Sequence, residues 1–284
     1  MSEDNIYTLY NSVIQAIMKD EEKLPSLPSV TLKIRQAISN PHTEINELAQ
    51  LIKLDPSLSA LLLKYAASPL YRRPIPPKTI EAVLSMVGMP TLENLVLTHS
   101  IKSLFIMKDP KLKKLFHLCW ERMIYKAAIS LFLGKKLGLR PAEQAMTTSL
   151  LTEVGTLALL SAFSGDIDVP DENNFIELCK QYSKPLTGII LSKWGMDKNT
   201  IKISQYTGKW ELKINKKLTM LDILNLAIYA TVQHQSLEND LPAIETISAY
   251  NKLPQTINTL TPTKELQVIK DNIEELDNII NSLK

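Results

Sequence analysis

The chain has 284 residues, of which 45% are hydrophobic and 22% are charged, a composition that excludes disordered and collagen-like proteins. A chain of this length buries about three quarters of its unfolded surface, which is enough for one or two domains. Its 8 glycines and 16 prolines suit neither the tight turns of a many-stranded β protein nor a glycine-rich nucleotide loop. The formal net charge of +2 is too small to indicate a nucleic-acid or membrane partner by itself.

The N-terminus and the cysteines indicate the compartment. The first residues, Met1 to Asp4, are acidic where a secretory signal is basic, and no apolar run approaches the roughly 18 residues of a membrane span. Cys119 and Cys179 stand far apart with no second cysteine near either, which favours two buried free thiols over a zinc pair or a disulfide framework. We therefore expect a cytoplasmic protein without membrane insertion.

Apolar residues recur at steps of three and four along the first half of the chain, which predicts a series of amphipathic helices. A stripe that begins with Ile6 and Leu9 predicts an N-terminal amphipathic helix over residues 1–21. Proline then interrupts the helices repeatedly, because it removes an amide donor and restricts the residue before it. The interruptions are Leu24–Pro28, Asn40-Pro41, Leu54-Asp55-Pro56, Ser68-Pro69 and Arg73–Pro77. We expect Thr43 to cap the helix that follows the second of them.

The second half of the chain predicts longer helices. One runs from Lys111 to Leu139 and another from Pro141 to about Phe163, and the short turn between them implies antiparallel packing. Later helices are predicted over residues 174–182, 185–194, 197–206 and 217–235. The alternating pattern of a β-strand is not found, so the predicted fold class is all-α, with two helical lobes that meet near Asp109-Pro110.

The C-terminal segment 261–284 predicts a helix that carries a heptad pattern. Its apolar residues step by three and four without a fault, and they are Leu266, Ile269, Ile273, Leu276, Ile280 and Leu283. Two interpretations stay open at this point. The helix packs on its own domain, or the stripe forms a self-association seam and the chain is a homodimer.

Several kinds of catalytic chemistry lack their sequence motifs. The glycine spacing of a phosphate-binding loop, the paired histidines of a zinc protease and the glycine-flanked serine of a hydrolase elbow are not found. The four histidines, His42, His99, His117 and His234, do not stand at helical ligand spacing from one another. We interpret each of them as a structural residue.

The order of motifs resembles the HDOD family, the HD-related output domain of bacterial signalling proteins. The segments that carry this resemblance are Leu24–Pro28, Leu54-Asp55-Pro56, Ala66–Pro69, Ile80–Val83 with Gly88, Trp120, Ser149–Gly155 and Leu191–Gly195. The resemblance is clearest over residues 22–210, and we extend the domain to residues 22–253. It implies a multi-helix, HD-like orthogonal bundle in two lobes, flanked by the N- and C-terminal amphipathic helices.

The same resemblance places the metal-binding positions of the parent HD phosphohydrolases on residues that are poor ligands. The positions correspond to Arg122, Thr152, Glu153 and Ile228, of which Glu153 alone keeps a carboxylate. A guanidinium repels a cation, a threonine hydroxyl is a poor substitute for imidazole, and isoleucine has no donor atom. We therefore expect a vestigial site that holds no metal or other cofactor, in which Arg122 and Glu153 form an ion pair.

The charge is distributed unevenly along the chain. Residues 111–140 contain eight basic residues and one acidic residue, beginning with Lys111, Lys113 and Lys114. We name these lysines, together with the stiff loop residues Tyr71, Arg72 and Arg73, as the candidate interaction surface. An acidic protein or a nucleotide is the ligand that such a surface attracts, and an ordinary solvated helix face is the alternative.

The resemblance implies a non-catalytic signal-transduction module that acts through protein partners. A second hypothesis is a metal-dependent HD-type phosphohydrolase for a nucleotide or phosphoester, with displaced ligands drawn from Glu153, His99 or His117. A third is a nucleic-acid-associated regulator, which depends on the basic stretch alone and lacks a recognition-helix motif.

Overall fold

The computed structural model describes residues 8, 10–12, 14–15, 18–19, 24–68, 75–105, 107, 109–163, 169–212, 217–235 and 241–283. Within these ranges the regular structure is helical, and the strand-like pairing is one isolated antiparallel bridge between Leu260 and Leu266. The predicted all-α fold class is thus confirmed. None of the described helices is, by itself, long and apolar enough to cross a membrane, and one sharply bent pair meets that criterion by length and composition alone.

Thirteen α-helices of the described residues are numbered here in chain order. They are α1 Ser29–Ser39, α2 Ile45–Lys53, α3 Pro56–Ala66, α4 Ile80–Val87, α5 Met89–Leu104, α6 Pro110–Lys136, α7 Glu143–Leu151, α8 Val154–Ser161, α9 Glu172–Lys193, α10 Lys198–Tyr206, α11 Met220–Gln235, α12 Gln267–Lys270 and α13 Ile273–Leu283. Two short 3₁₀ turns, Ile244–Thr246 and Tyr250–Lys252, lie between α11 and α12.

Side-chain caps fix where several helices begin. The Asp55 carboxylate accepts the amide of Leu58 at 3.0 Å at the start of α3. Asp171 and Asp197 cap α9 and α10 through the amides three residues on. Each such cap contributes about 1 kcal/mol. The predicted cap at Thr43 is wrong, because α2 begins at Ile45 with Glu44 at the cap position and no side-chain cap bond.

The helix predicted from Pro141 to Phe163 is broken into α7 and α8. Glu153 leaves helical geometry at φ −110° and ψ 0°, and the Thr152 hydroxyl donates to the Ser149 carbonyl at 2.7 Å. The Gly155 amide, at the start of α8, donates instead to the Thr187 hydroxyl of α9 at 3.0 Å. A hydrogen bond to a helix distant in sequence therefore takes the place of the local helical hydrogen bond. The spacing of apolar residues cannot reveal such a contact.

The two helices predicted over 174–182 and 185–194 form one helix, α9, with Pro185 inside it. This helix packs along both α8 and α10. The neighbouring Lys184 is fixed from two sides, because its ammonium donates to the Thr207 carbonyl at 2.6 Å and its own carbonyl accepts from Gln205 at 2.8 Å. Packing therefore outweighs the helix-breaking tendency of proline.

Contacts divide the chain into two compact units that interleave in sequence. Unit 1 consists of residues 1–27, 101–123 and 148–207, and unit 2 of residues 28–100, 124–147 and 208–284. This division differs from the predicted lobe boundary at Asp109-Pro110, because segments distant in sequence pack together in each unit.

In unit 1, the described residues between 8 and 19 are helical, within the segment predicted as the N-terminal helix. Tyr10 and Ile14 are buried, and the Tyr10 ring meets Phe163 edge-on at 5.1 Å. The Tyr182 hydroxyl donates to the Asn11 amide oxygen at 2.7 Å. Ile6 and Leu9, which begin the predicted stripe, lie outside the described residues.

The C-terminal segment, in unit 2, contains two helices where one was predicted. Asp271 and Asn272 separate α12 from α13, and α13 packs on α3. Four of the six predicted seam residues are buried, namely Leu266, Ile269, Leu276 and Leu283. The break changes the register of the apolar stripe, so that Ile279 is buried at 1% exposure while Ile273 is 49% exposed and Ile280 is half-buried.

Candidate functional site

Three of the four residues at the expected vestigial site, Arg122, Thr152 and Glu153, lie in unit 1. Arg122 comes from α6, and Glu153 stands between α7 and α8. The guanidinium Nη2 of Arg122 lies 3.7 Å from Oε2 of Glu153, so the predicted ion pair is present. The arginine side chain is 38% exposed and the carboxylate 19%, which places the pair at the edge of the unit's interior.

Hydroxyl groups from α8 and α9 continue this polar cluster inward. The Thr156 hydroxyl lies 3.3 Å from the Glu153 carboxylate and 3.0 Å from the Ser183 hydroxyl. Thr152 is buried and turns its hydroxyl to the carbonyl of its own helix, as described above. The carboxylate of Glu153 thus already has a cation on one side and a hydroxyl on the other.

Glycine at position 155 allows this arrangement. A Cβ atom there would lie 2.0 Å from the Ser183 carbonyl oxygen and 2.6 Å from the Thr187 amide nitrogen, both of them backbone atoms of α9. The helix start at α8 can therefore approach α9 only with glycine at this position. The sequence motif Ser149–Gly155 was noted for its resemblance, but the need for glycine follows from this close approach.

Two thiols, not predicted as part of the site, belong to the same neighbourhood. Burial raises the pKa of Cys119 to about 11. The charge of Arg122 acts to lower this pKa, and the charge of Glu153 acts to raise it. Burial likewise raises the pKa of Cys179 to about 12, although a hydrogen bond with Ser183 lowers it. Both cysteines are free and half-buried. At neutral pH they are protonated, and a protonated thiol is a poor nucleophile and a poor metal ligand.

The donor set of this cluster does not fit a divalent metal centre. A permanent cation, Arg122, stands beside the carboxylate, and the other groups are neutral hydroxyls and protonated thiols. Throughout the described ranges, no group of three or more histidine, cysteine, aspartate or glutamate side chains is arranged to hold a metal ion. Ile228, the fourth position implied by the resemblance, is half-buried on α11 in unit 2 and supplies no ligand atom.

The histidines considered as displaced ligands have other partners. In unit 2, Nε2 of His99 lies 3.1 Å from Oδ2 of Asp55. Burial raises the pKa of Asp55, but the Leu58 amide and His99 lower it more, so that the pKa is below its usual value. His117 is 71% exposed and pairs with Glu121 one turn along α6 at 3.4 Å.

The basic stretch does not form one charged face. Lys111, Lys113 and Lys114 are exposed in the first turns of α6, but Lys126 is buried at 3% exposure. Lys136, near the end of the helix, lies 3.8 Å from Glu275. The other part of the candidate interaction surface, Tyr71, Arg72 and Arg73, lies outside the described residues.

Comparison with protein families identifies the chain. The model of the HDOD domain matches residues 24–209, more than half of the sequence and almost the span over which the motifs resemble that family. The chain belongs to the HDOD family. No curated protein matches the sequence closely enough to add a function to this assignment.

Solved structures share the fold at low sequence identity. A Shewanella amazonensis SB2B protein, provisionally named a metal-dependent phosphohydrolase, has a TM-score of 0.77 and 16% identity, with 99% of this chain and 100% of that chain covered. An HDOD domain protein of unknown function from Geobacter sulfurreducens has a TM-score of 0.69 and 19% identity, covering 96% and 97%. A Marinobacter aquaeolei VT8 protein, provisionally named a signal transduction protein, has a TM-score of 0.61 and 17% identity, covering 98% of this chain and 64% of its own.

Proposed function

We propose that this HDOD protein is a non-catalytic signalling module that works in the cytoplasm by binding partner proteins. The observation that carries the proposal is the Arg122–Glu153 ion pair at 3.7 Å. The family resemblance aligns both residues with metal-binding positions of HD phosphohydrolases. Family membership supports a regulatory role, and the name of the Marinobacter relative associates the fold with signal transduction. The phosphohydrolase name of the Shewanella relative gives the competing hypothesis, which the test below addresses.

The chemical reason for a non-catalytic role is the state of the Glu153 carboxylate. Metal-dependent hydrolysis needs several ligands that leave an open position where the metal activates water. Glu153 is instead shared between a guanidinium and a hydroxyl. Displacing Arg122 would free one carboxylate, and one carboxylate is too few for a stable divalent site.

The test measures metal content and hydrolysis on the same tag-free protein, purified without chelator. We expect less than about 0.1 ion of any transition metal per chain by elemental mass spectrometry. We also expect no hydrolysis of bis(p-nitrophenyl) phosphate with added Mn²⁺ beyond that of the Glu153→Ala variant. Glu177→Ala is the matched control, because Glu177 is exposed and pairs along its own helix with Lys180.

A different result would restore the enzyme hypothesis. About one or two ions per chain, lost in Glu153→Ala and kept in Glu177→Ala, would show that the cluster is a metal centre. Manganese-dependent hydrolysis with the same pattern in the two variants would show that it is catalytic.

The exposed lysines at the start of α6 are the proposed contact surface for an acidic partner protein. Their positive charges stand at the helix end where the backbone dipole is also positive, so an anionic surface is attracted by both. Replacing Lys111, Lys113 and Lys114 with glutamine should lower association with poly-L-glutamate. The nucleic-acid hypothesis predicts instead duplex-DNA binding that weakens steeply with added salt, because phosphate contacts release counterions. Binding that does not depend on salt would contradict that hypothesis.

A further inference from the structure

A small cavity in unit 2 lies against the C-terminal helices, apart from the Arg122–Glu153 cluster. Its volume is about 120 Å³, comparable to the space needed by the end of one long side chain. The walls come from α6, α11, α12 and α13. The resemblance to HD proteins assigned no role to this place.

The lining of the cavity includes both apolar side chains and aromatic rings. Leu276 and Ile269 line it and are almost fully buried, while Ile273 lines it and is 49% exposed. The rings of Tyr125 and His234 also line the cavity, and they stack at 4.7 Å with an angle of 15° between their planes. Such a pair of stacked rings offers a flat face to a planar cation or to another ring.

The charged groups that line the cavity are two carboxylates, Glu265 and Asp277, and one ammonium, Lys270. Burial raises the pKa of the Tyr125 phenol, and the negative charges of Glu265 and Asp277 raise it further, so both carboxylates act on that hydroxyl. Glu265 is already paired, with Lys270 at 3.0 Å and the Thr263 hydroxyl at 2.7 Å. Asp277 is exposed and has no hydrogen bond or ion pair within the part of the chain that the structure describes.

A cation on an apolar stem matches this combination of walls. Asp277 supplies an unpaired negative charge, the stacked rings favour a planar cation, and Ile273 and Leu276 suit a methylene chain. Arginine meets all three requirements, because its guanidinium is planar and weakly hydrated and stacks on aromatic rings. The exposed side chain of Ile273 at the rim gives a larger ligand an apolar area to cover.

We propose that this cavity is the docking pocket for an arginine side chain carried by a partner protein. The proposal deepens the proposed function, because it names one surface and the chemistry of the partner segment that the signalling module binds. Buried arginines in pockets rimmed by apolar contacts are frequent anchors of protein interfaces. The partner segment therefore carries an arginine with an apolar residue close enough to cover Ile273.

The first experiment uses Nα-acetyl-arginine amide and, as its uncharged isostere, Nα-acetyl-citrulline amide. With the full-length protein, NMR signals of Tyr125, His234 and Ile273 should shift on titration with the arginine compound. The Asp277→Asn variant should weaken this binding by about tenfold, the loss expected when a charge-assisted contact becomes neutral. Glu274→Gln is the matched control, because it removes the same charge from the same helix at an exposed position outside the cavity.

The second experiment distinguishes a protein partner from a free small ligand. The peptide acetyl-Leu-Arg-Ala-Leu-amide, which adds apolar side chains, should bind at least about tenfold more tightly than the amino-acid amide. Ile273→Ser should remove this gain and leave binding of the amide nearly unchanged. Equal affinity of peptide and amide would overturn the docking of a partner segment.

Other outcomes would also overturn the proposal. These are no binding of the arginine compound, binding of citrulline as tight as that of arginine, or binding that Asp277→Asn does not weaken. A concentration-dependent doubling of mass in light scattering that Ile273→Asp abolishes would assign the surface to a second copy of the chain, as the heptad pattern predicts. Metal in the Arg122–Glu153 cluster would contradict the proposed function alone, since the peptide titration does not depend on that cluster.

Discussion

Replacement of Gly155 with alanine is expected to destabilise unit 1 strongly. The added Cβ would lie 2.0 Å from the Ser183 carbonyl oxygen and 2.5 Å from the Thr187 hydroxyl, against ordinary contacts of 3.4 Å or more. The first of these is a backbone atom, so relief requires α8 and α9 to separate by more than 1 Å. Overpacking of this kind costs about 1–3 kcal/mol. The loss of the amide bond to Thr187 adds about 1 kcal/mol.

The assay is urea unfolding followed by far-ultraviolet circular dichroism, with Gly134→Ala as the matched control. Gly134 lies inside α6, and its added Cβ would meet Ala142 and Ala145 at 3.4 to 3.5 Å. Since alanine also favours the helix, this control should change the free energy of unfolding by less than about 1 kcal/mol. We expect Gly155→Ala to lower it by about 3 kcal/mol. If the two variants unfold at the same urea concentration, close packing at Gly155 does not hold α8 against α9.

Three further predictions concern other contacts. Asp222→Ala should cost about 3 kcal/mol or more, because Lys252 at 2.7 Å would be left buried without its partner; a loss below 1 kcal/mol would contradict this. Asp197→Ala should cost about 1 kcal/mol at pH 7. Burial raises the pKa of Asp197, but its bonds to Thr200 lower that pKa more. The stability difference between wild type and Asp197→Ala should therefore shrink as the pH falls below about 4, which thermal melting at a series of pH values measures. Cys119 and Cys179 should react slowly with a disulfide reagent at pH 7.5 until urea unfolds the chain, whereas rapid labelling of native protein would refute their protonated state.

Much of the fold could be predicted from local sequence patterns. The all-α class follows from apolar spacing, and the interruption at Leu54-Asp55-Pro56 coincides with the start of α3, where Asp55 is the cap and Pro56 the first helical residue. The errors occur where a contact between distant segments decides the local structure. The break at Glu153 depends on Thr187, and the continuity of α9 through Pro185 depends on its packing along two other helices.

The candidate site could also be predicted only in part from the sequence. The ion pair of Arg122 with Glu153 was predicted because the family resemblance aligned both residues with one former centre. Periodicity alone could not bring together residues that lie 31 positions apart. Cys119 and Cys179 were predicted as isolated buried thiols, and their electrostatic neighbours Arg122 and Glu153 became evident only in the structure. The cavity beside Tyr125 also depends on long-range packing, since its walls come from four helices.

The contacts also show how much the Arg122–Glu153 pair contributes to holding unit 1 together. The Arg122–Glu153 pair is 3.7 Å long and partly exposed, and pairs of that kind contribute about 0–1 kcal/mol. The backbone approach at Gly155 and the buried hydroxyl of Thr187, which also donates to the Thr152 carbonyl at 3.4 Å, hold α8 on α9, and neither uses the side chain of Arg122 or Glu153. The packing of α8 on α9 is therefore largely independent of the Arg122–Glu153 ion pair. Arg122→Ala should accordingly leave the urea midpoint nearly unchanged, while Gly155→Ala lowers it.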